Sequence, residues 1–185
     1  MKKILIISGS FRRNSFNTKI ALYTKTLLED NFYTEVLEYE SLPFMNQDLE
    51  ENLPEVVKNI KESVMKADAL WFFTPEYNQS YPGAVKNLID WLSRPLVYGN
   101  YASGTAIKGK VVAITSAGGK NAGRGSIDKL TQLLNAVKAK PLECCVGIAL
   151  SPECFMKDTL ILTKEDEDRI QEEVKILNNL LLPNT

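Results

Sequence analysis

Residues 9–17, GSFRRNSFN, gather two hydroxyls (Ser10, Ser15), an amide (Asn17) and a guanidinium (Arg12, with Arg13 beside it). An apolar run precedes this stretch and a helical pattern follows it. The start of a helix offers unpaired N–H groups and the positive end of the helix dipole, and both suit a phosphate. Hydroxyls and an arginine add charge-assisted hydrogen bonds. The stretch is neither a G-x-G-x-x-G fingerprint nor a P-loop with its lysine. A terminal phosphate monoester therefore fits it better than a triphosphate. An N-capped helix behind a polar loop would show the same residue types.

Two further loops carry chemistry. Residues 75–83, PEYNQSYPG, set Pro75, Glu76, Tyr77 and Asn78 at the end of an apolar run. Tyr77 and Tyr81 could flank a flat ring, and Glu76, Asn78 or the turn's own backbone could read its edge. An ordinary turn before a helix, with Pro82 and Gly83 at its start, is the simpler alternative. Residues 115–126, TSAGGKNAGRGS, combine Ser116 with Gly118 and Gly119. Glycines let a ligand approach the backbone closely, so N–H groups here could stabilise negative charge on a ring atom. A surface loop would have the same composition.

Composition narrows what these loops could do. The chain of 185 residues has no histidine, which removes Ser-His-Asp and Cys-His nucleophiles and histidine-ligated zinc or iron. No metal site is expected and no side chain is assigned as a catalyst; the chemistry of an enzyme built this way belongs to a bound cofactor. Twenty-two basic against 23 acidic side chains leave a net charge of −1, which argues against nucleic acid or a polybasic membrane contact. The N-terminal apolar run is too short for a membrane span or a secretory signal and reads as a first strand, so the expected location is the cytoplasm. Cys144, Cys145 and Cys154 have no C-x-x-C spacing and are read as structural, with Cys144 and Cys145 on opposite faces of a strand.

The elements that must position the loops alternate along the chain. Continuous apolar runs at 4–7 and 69–73 read as buried strands, with further strands at 34–39, 110–115 and 141–148. Helical spacing recurs at 20–28, 54–66, 82–92 and 126–138, and in a last helix opened by a Thr163/Asp166 capping box. Five strands alternating with five helices imply one α/β domain over residues 1–185, a doubly wound parallel sheet. Such sheets bind ligands beyond the carboxyl ends of their strands. That rule selects the loops after the first, third and fourth strands, the three described above.

At these residues the chain resembles the NAD(P)H-dependent FMN reductase family. The family's Gly-Ser-x-Arg-x-x-Ser-x-Asn motif matches residues 9–17 at every fixed position. Its second motif matches at Pro75, Glu76, Tyr77, Asn78, Ser80, Pro82, Gly83, Lys86, Asn87, Asp90 and Trp91. The third loop is a looser match. The resemblance implies a flavodoxin-like five-stranded sheet of order 2-1-3-4-5. It implies FMN as cofactor and NADPH or NADH as co-substrate, with electrons passing by ping-pong turnover to a small acceptor such as a quinone, azo dye, chromate or free flavin. Ser10, Arg12, Ser15 and Asn17 would hold the FMN phosphate; Pro75, Glu76, Tyr77 and Asn78 would line the isoalloxazine; Ser116, Gly118 and Gly119 would approach its far edge. A homodimer or homotetramer is implied, with the helix around residues 86–91 and an exposed Trp91 at the interface, although a buried Trp91 is the plainer alternative. An FMN-binding electron carrier of the flavodoxin type is the rival reading, disfavoured by the near-zero charge.

Overall fold

The computed structural model describes residues 1–182. Its centre is a six-stranded parallel sheet. β1 (Lys2–Ser8) lies between β2 (Phe32–Val36) and β3 (Ala69–Pro75), and β3 pairs with β6 (Val111–Gly118). β7 (Lys140–Pro141) and β8 (Val146–Ala149) both pair with the far side of β6. The alternation of side chains along each strand divides the core in two. Leu5, Ile7, Leu70, Phe72, Val112 and Ile114 face α2 (Glu55–Lys66), α3 (Gly83–Leu92) and α4 (Arg124–Ala136). Ile4, Ile6, Trp71, Phe73 and Ala113 face α1 (Phe16–Leu28) and α6 (Lys164–Leu181).

The helical periods translate directly into buried faces. Val85, Leu88, Ile89 and Leu92 of α3 are fully buried, and so are Ile170 and Leu177 of α6. Thr163 and Asp166 form the expected capping box at the start of α6.

The strand expected at 141–148 is broken. Between the pairs Val112–Pro141 and Thr115–Val146, two residues of β6 face four residues of the partner segment. Pro141 has no N–H to continue a ladder. Beside the gap, the Thr115 hydroxyl donates to the buried Glu173 of α6 at 2.9 Å and accepts from the Trp71 indole N–H at 2.9 Å. The sheet order is therefore β2-β1-β3-β6 with two short strands in the fifth place, not five continuous strands. Cys144 and Cys145 lie in the gap rather than on a strand, the first exposed and the second half-buried.

Two elements go beyond the expected set. An antiparallel hairpin, β4 (Pro95–Val97) and β5 (Asn100–Thr105), follows α3. A short α5 (Pro152–Lys157) follows β8. Trp91 is fully buried, its indole N–H donating to the Pro43 carbonyl at 2.8 Å, so its role is to dock the loop before residue 45 onto α3. Among the described residues no helix is long and apolar enough to cross a membrane.

Candidate functional site

Beyond the carboxyl ends of β1, β3 and β6, a cleft of about 390 Å³ opens to solvent, within the ordinary range for small-molecule sites. Its walls are Ser10, Arg12, Ser15, Phe16 and Asn17 from the first loop, Pro75, Glu76 and Tyr77 from the second, and Ala117, Gly118 and Gly119 from the third. Leu150, Phe155 and Asp158 close it from the segment after β8.

The first loop is folded by its own hydroxyls. Ser15 caps α1, its side-chain oxygen accepting the Thr18 N–H at 3.2 Å and its carbonyl the Lys19 N–H at 3.0 Å. A helix leaves its first N–H groups without intrahelical partners. Those of Phe16 and Asn17, both residues of the cleft wall, remain for a ligand. The Ser10 oxygen accepts the Arg12 N–H at 3.3 Å, and both the Ser10 and Ser15 hydroxyl hydrogens are free to donate to an anion. Gly9 is required by close approach: a Cβ there would lie 2.8 Å from the Thr74 hydroxyl and 3.1 Å from its backbone.

The second loop is a tight hairpin turn. Tyr77 and Ser80 exchange backbone hydrogen bonds of 2.8 and 3.0 Å, and Asn78 and Gln79 between them both have positive φ, 51° and 59°. This is the type I′ geometry for which asparagine is well suited. The turn carries Asn78 to an exposed tip away from the cleft wall, so its side chain does not join the other second-loop residues there. The Glu76 carboxylate turns inward and accepts the N–H groups of Gly125 at 2.7 Å and Ser126 at 3.4 Å. Glu76 thus caps α4 and ties the second loop to the third.

The third loop passes through two successive left-handed residues, Ala122 (φ 50°) and Gly123 (φ 68°). At Gly123 a Cβ would collide with the Ser116 side chain. Ser116 is fully buried and donates to the Thr74 carbonyl at 2.6 Å, so its hydroxyl faces the core rather than the cleft. Asn17 is buried too, and its amide is committed: it donates to the Ala117 carbonyl at 3.1 Å and accepts the Ala117 N–H at 2.9 Å. It holds the start of α1 against the end of β6. Gly119 is open, with nothing within 4 Å of the point where a Cβ would stand.

Nine of the eleven residues selected from the sequence therefore line one cleft, while Asn78 and Ser116 stand outside it. The sequence reading missed Phe16, Ala117, Leu150, Phe155 and Asp158. Phe16 and Ala117 adjoin the motifs and could have been taken with them. The other three come from beyond the broken fifth strand, where no motif marks them. Phe155 meets Phe16 edge-on at 5.6 Å, which brings α5 over the first loop.

The donor set suits FMN. Hydroxyls, a guanidinium and helix N–H groups of the first loop suit a phosphate. The same cleft has apolar and glycine lining, which suits a flat ring that needs surface rather than charge. The cleft's two carboxylates are already held, Glu76 by α4 and Asp158 by Arg12 and Asn14. Among the described residues no cluster could hold a metal ion.

Comparison with known proteins gives the same answer. The family model for NADPH-dependent FMN reductase matches residues 2–152.

The chain belongs to the NADPH-dependent FMN reductase family.

Among family relatives it is similar to an NAD(P)H:quinone oxidoreductase of Solanum tuberosum, 30% identical over 97% of this chain and 93% of the relative. It is also similar to a 2-hydroxy-1,4-benzoquinone reductase of a Burkholderia species, 41% identical over half of this chain. The chain spans about half the length of that relative, 51%. The solved structure of FerB, a flavoenzyme NAD(P)H:(acceptor) oxidoreductase from Paracoccus denitrificans, superposes with a TM-score of 0.82 at 29% identity over 95% of this chain and 94% of that one. A pneumococcal flavodoxin, 15% identical with a TM-score of 0.60, shares the flavodoxin-like fold.

Proposed function

We propose that this single domain binds FMN and uses NADPH or NADH to reduce a small electron acceptor of the quinone class. The observation that carries the proposal is the cleft itself. An anion cradle and an apolar, glycine-lined slot share one solvent-open site, with Glu76 turned to the start of α4 and Asp158 paired with Arg12. When bound there, FMN supplies hydride chemistry between a nicotinamide and the acceptor. The chain's part is to bind and orient. Ser10, Arg12, Ser15 and the N–H groups at the start of α1 hold the phosphate. Pro75, Tyr77, Gly118 and Gly119 bound the ring slot, and backbone N–H groups of the third loop favour negative charge at its edge. No side chain is required to move a proton, in keeping with a chain that lacks histidine.

The open cleft supports ping-pong turnover, with donor and acceptor using one exposed ring face in turn. Homo-oligomerisation, as a homodimer or homotetramer, is supported by Phe44, Val97, Tyr98 and Tyr101, which are exposed on segments flanking α3. Three free thiols suit the reducing cytoplasm.

The test is an absorption spectrum of protein reconstituted with FMN, followed by anaerobic mixing with NADPH. Bleaching of the bound flavin at a turnover rate is expected, with re-oxidation on adding a benzoquinone. Bound FMN that NADPH does not reduce would instead make the protein an electron carrier.

A further inference from the structure

The anion cradle already contains an anion. Asp158 lines the same cleft as Ser10, Arg12 and Ser15. One of its carboxylate oxygens accepts from the Arg12 guanidinium at 2.7 Å and the other from the Asn14 amide at 2.9 Å. Both donors belong to the first loop. The Lys19 ammonium, at 3.0 Å, donates to the Asp158 carbonyl. These contacts, Arg12 first, hold the Asp158 carboxyl below the usual carboxylate range.

The placement is fixed by the backbone. Asp158 ends α5 in the left-handed conformation, φ 47° and ψ 37°, with its N–H on the Cys154 carbonyl. Phe155, one turn earlier, rests on Phe16. The side chain is thereby held on the first loop, where it stays half-exposed. Glu76, the other acid of the cleft, is turned to the N-terminus of α4 and is no part of this cradle.

We infer that Asp158 is an electrostatic counterweight to the flavin phosphate, weakening the cleft's hold on FMN so that the cofactor exchanges. The inference rests on the reading that this cleft takes FMN. A phosphate monoester carries a charge of about −1.5 to −2 at neutral pH. It must share or displace a carboxylate that already occupies its principal cation, and the two anions repel across the cradle. The Arg12–Asp158 pair is half-exposed, with side chains 50% and 42% accessible. Such a pair holds weakly, so the phosphate can win Arg12, but at reduced affinity. Riboflavin, which has no phosphate, is blind to the carboxylate.

The experiment titrates FMN and riboflavin separately into apo-protein, following flavin fluorescence, for the parent chain, Asp158→Asn and Asp158→Gly. Asparagine and glycine both tolerate positive φ, so each variant keeps the turn while removing the charge. In low salt Asp158→Asn should bind FMN about tenfold more tightly, the repulsion of one charge on a phosphate a few ångströms away in water. Riboflavin affinity should not change, and the FMN gain should shrink as salt is added. Unchanged or weaker FMN binding would overturn the inference, the latter by making Asp158 a support for Arg12. Equal tightening of both flavins would overturn it by placing the effect on the ring slot. Failure of both variants to fold would make the ion pair structural and overturn it as well. Absence of flavin binding by the parent chain would instead reject the FMN reading, and the inference with it.

Discussion

Replacing Glu173 with glutamine should remove a pH dependence built into the core. Glu173 is fully buried, and its carboxylate has one partner side chain, the Thr115 hydroxyl, itself held by Trp71. Its other oxygen has no hydrogen-bond partner among the described residues. Burial pushes the Glu173 carboxyl up from its ordinary 4.5 to about 8, against the smaller effects of the Thr115 hydroxyl and the Ile114 backbone N–H. An acid with a folded pKa above its unfolded value keeps its proton in the fold after the unfolded chain has lost it. Stability is therefore greatest below the unfolded pKa and falls as pH rises toward the folded one. The slope is about 1.4 kcal/mol per pH unit. By pH 7 the loss amounts to about 3 kcal/mol, a large share of the roughly 5–15 kcal/mol of an ordinary domain. Glutamine keeps an acceptor for Thr115 but cannot ionise. Urea unfolding followed by tryptophan fluorescence, at a series of pH values from 5 to 8.5, measures the difference between Glu173→Gln and the parent chain. The variant should gain on the parent steadily up to about pH 8. All other titrating groups are common to both proteins and cancel. Parallel stability curves, or a parent that gains as pH rises, would show that Glu173 is charged and solvated in the fold and would refute the reasoning.

Other outcomes bear on the cleft. Arg12→Ala should weaken FMN binding by about 1.5–3 kcal/mol, the range for hydrogen bonds to charged groups, with no loss of fold; unchanged affinity in a flavin titration would assign Arg12 to Asp158 alone. Glu76→Ala should cost about 1 kcal/mol of stability through loss of the α4 cap, and Glu76→Gln should recover most of it; equal denaturation midpoints for the alanine variant and the parent would dismiss the cap. Rates measured against NADPH at several benzoquinone concentrations should give parallel double-reciprocal lines, whereas intersecting lines would require a separate acceptor pocket. Burial raises the Cys145 thiol to about 11 and the Cys144 thiol in the same direction, so neither is a thiolate at neutral pH. Replacing all three cysteines with serine should leave NADPH oxidation intact in folded, FMN-loaded protein, and its loss would reveal a redox thiol.

Periodicity and loop chemistry made much of this protein legible in one dimension. The buried runs of β1, β3 and β6 and the apolar faces of α3 and α6 follow from local spacing, because a strand covered on both sides or a helix covered on one must be apolar there. The rule that ligands lie beyond the carboxyl ends of such strands then selects the three loops that form the cleft. Residue type, however, says what a side chain can bond and not what reaches it first. By type and position Asn17, Glu76 and Ser116 are ligand-facing polar groups, yet the fold commits them to Ala117, to the start of α4 and to Thr74. The break in the fifth strand had a local mark in Pro141, which has no N–H for a ladder. The buried contact beside the gap had none: Glu173 stands 58 residues from its partner Thr115, and no local pattern records that meeting. Asp158 is 146 residues from Arg12. Only the folding of α5 back over the first loop brings a carboxylate into a cradle that the sequence had marked for a phosphate.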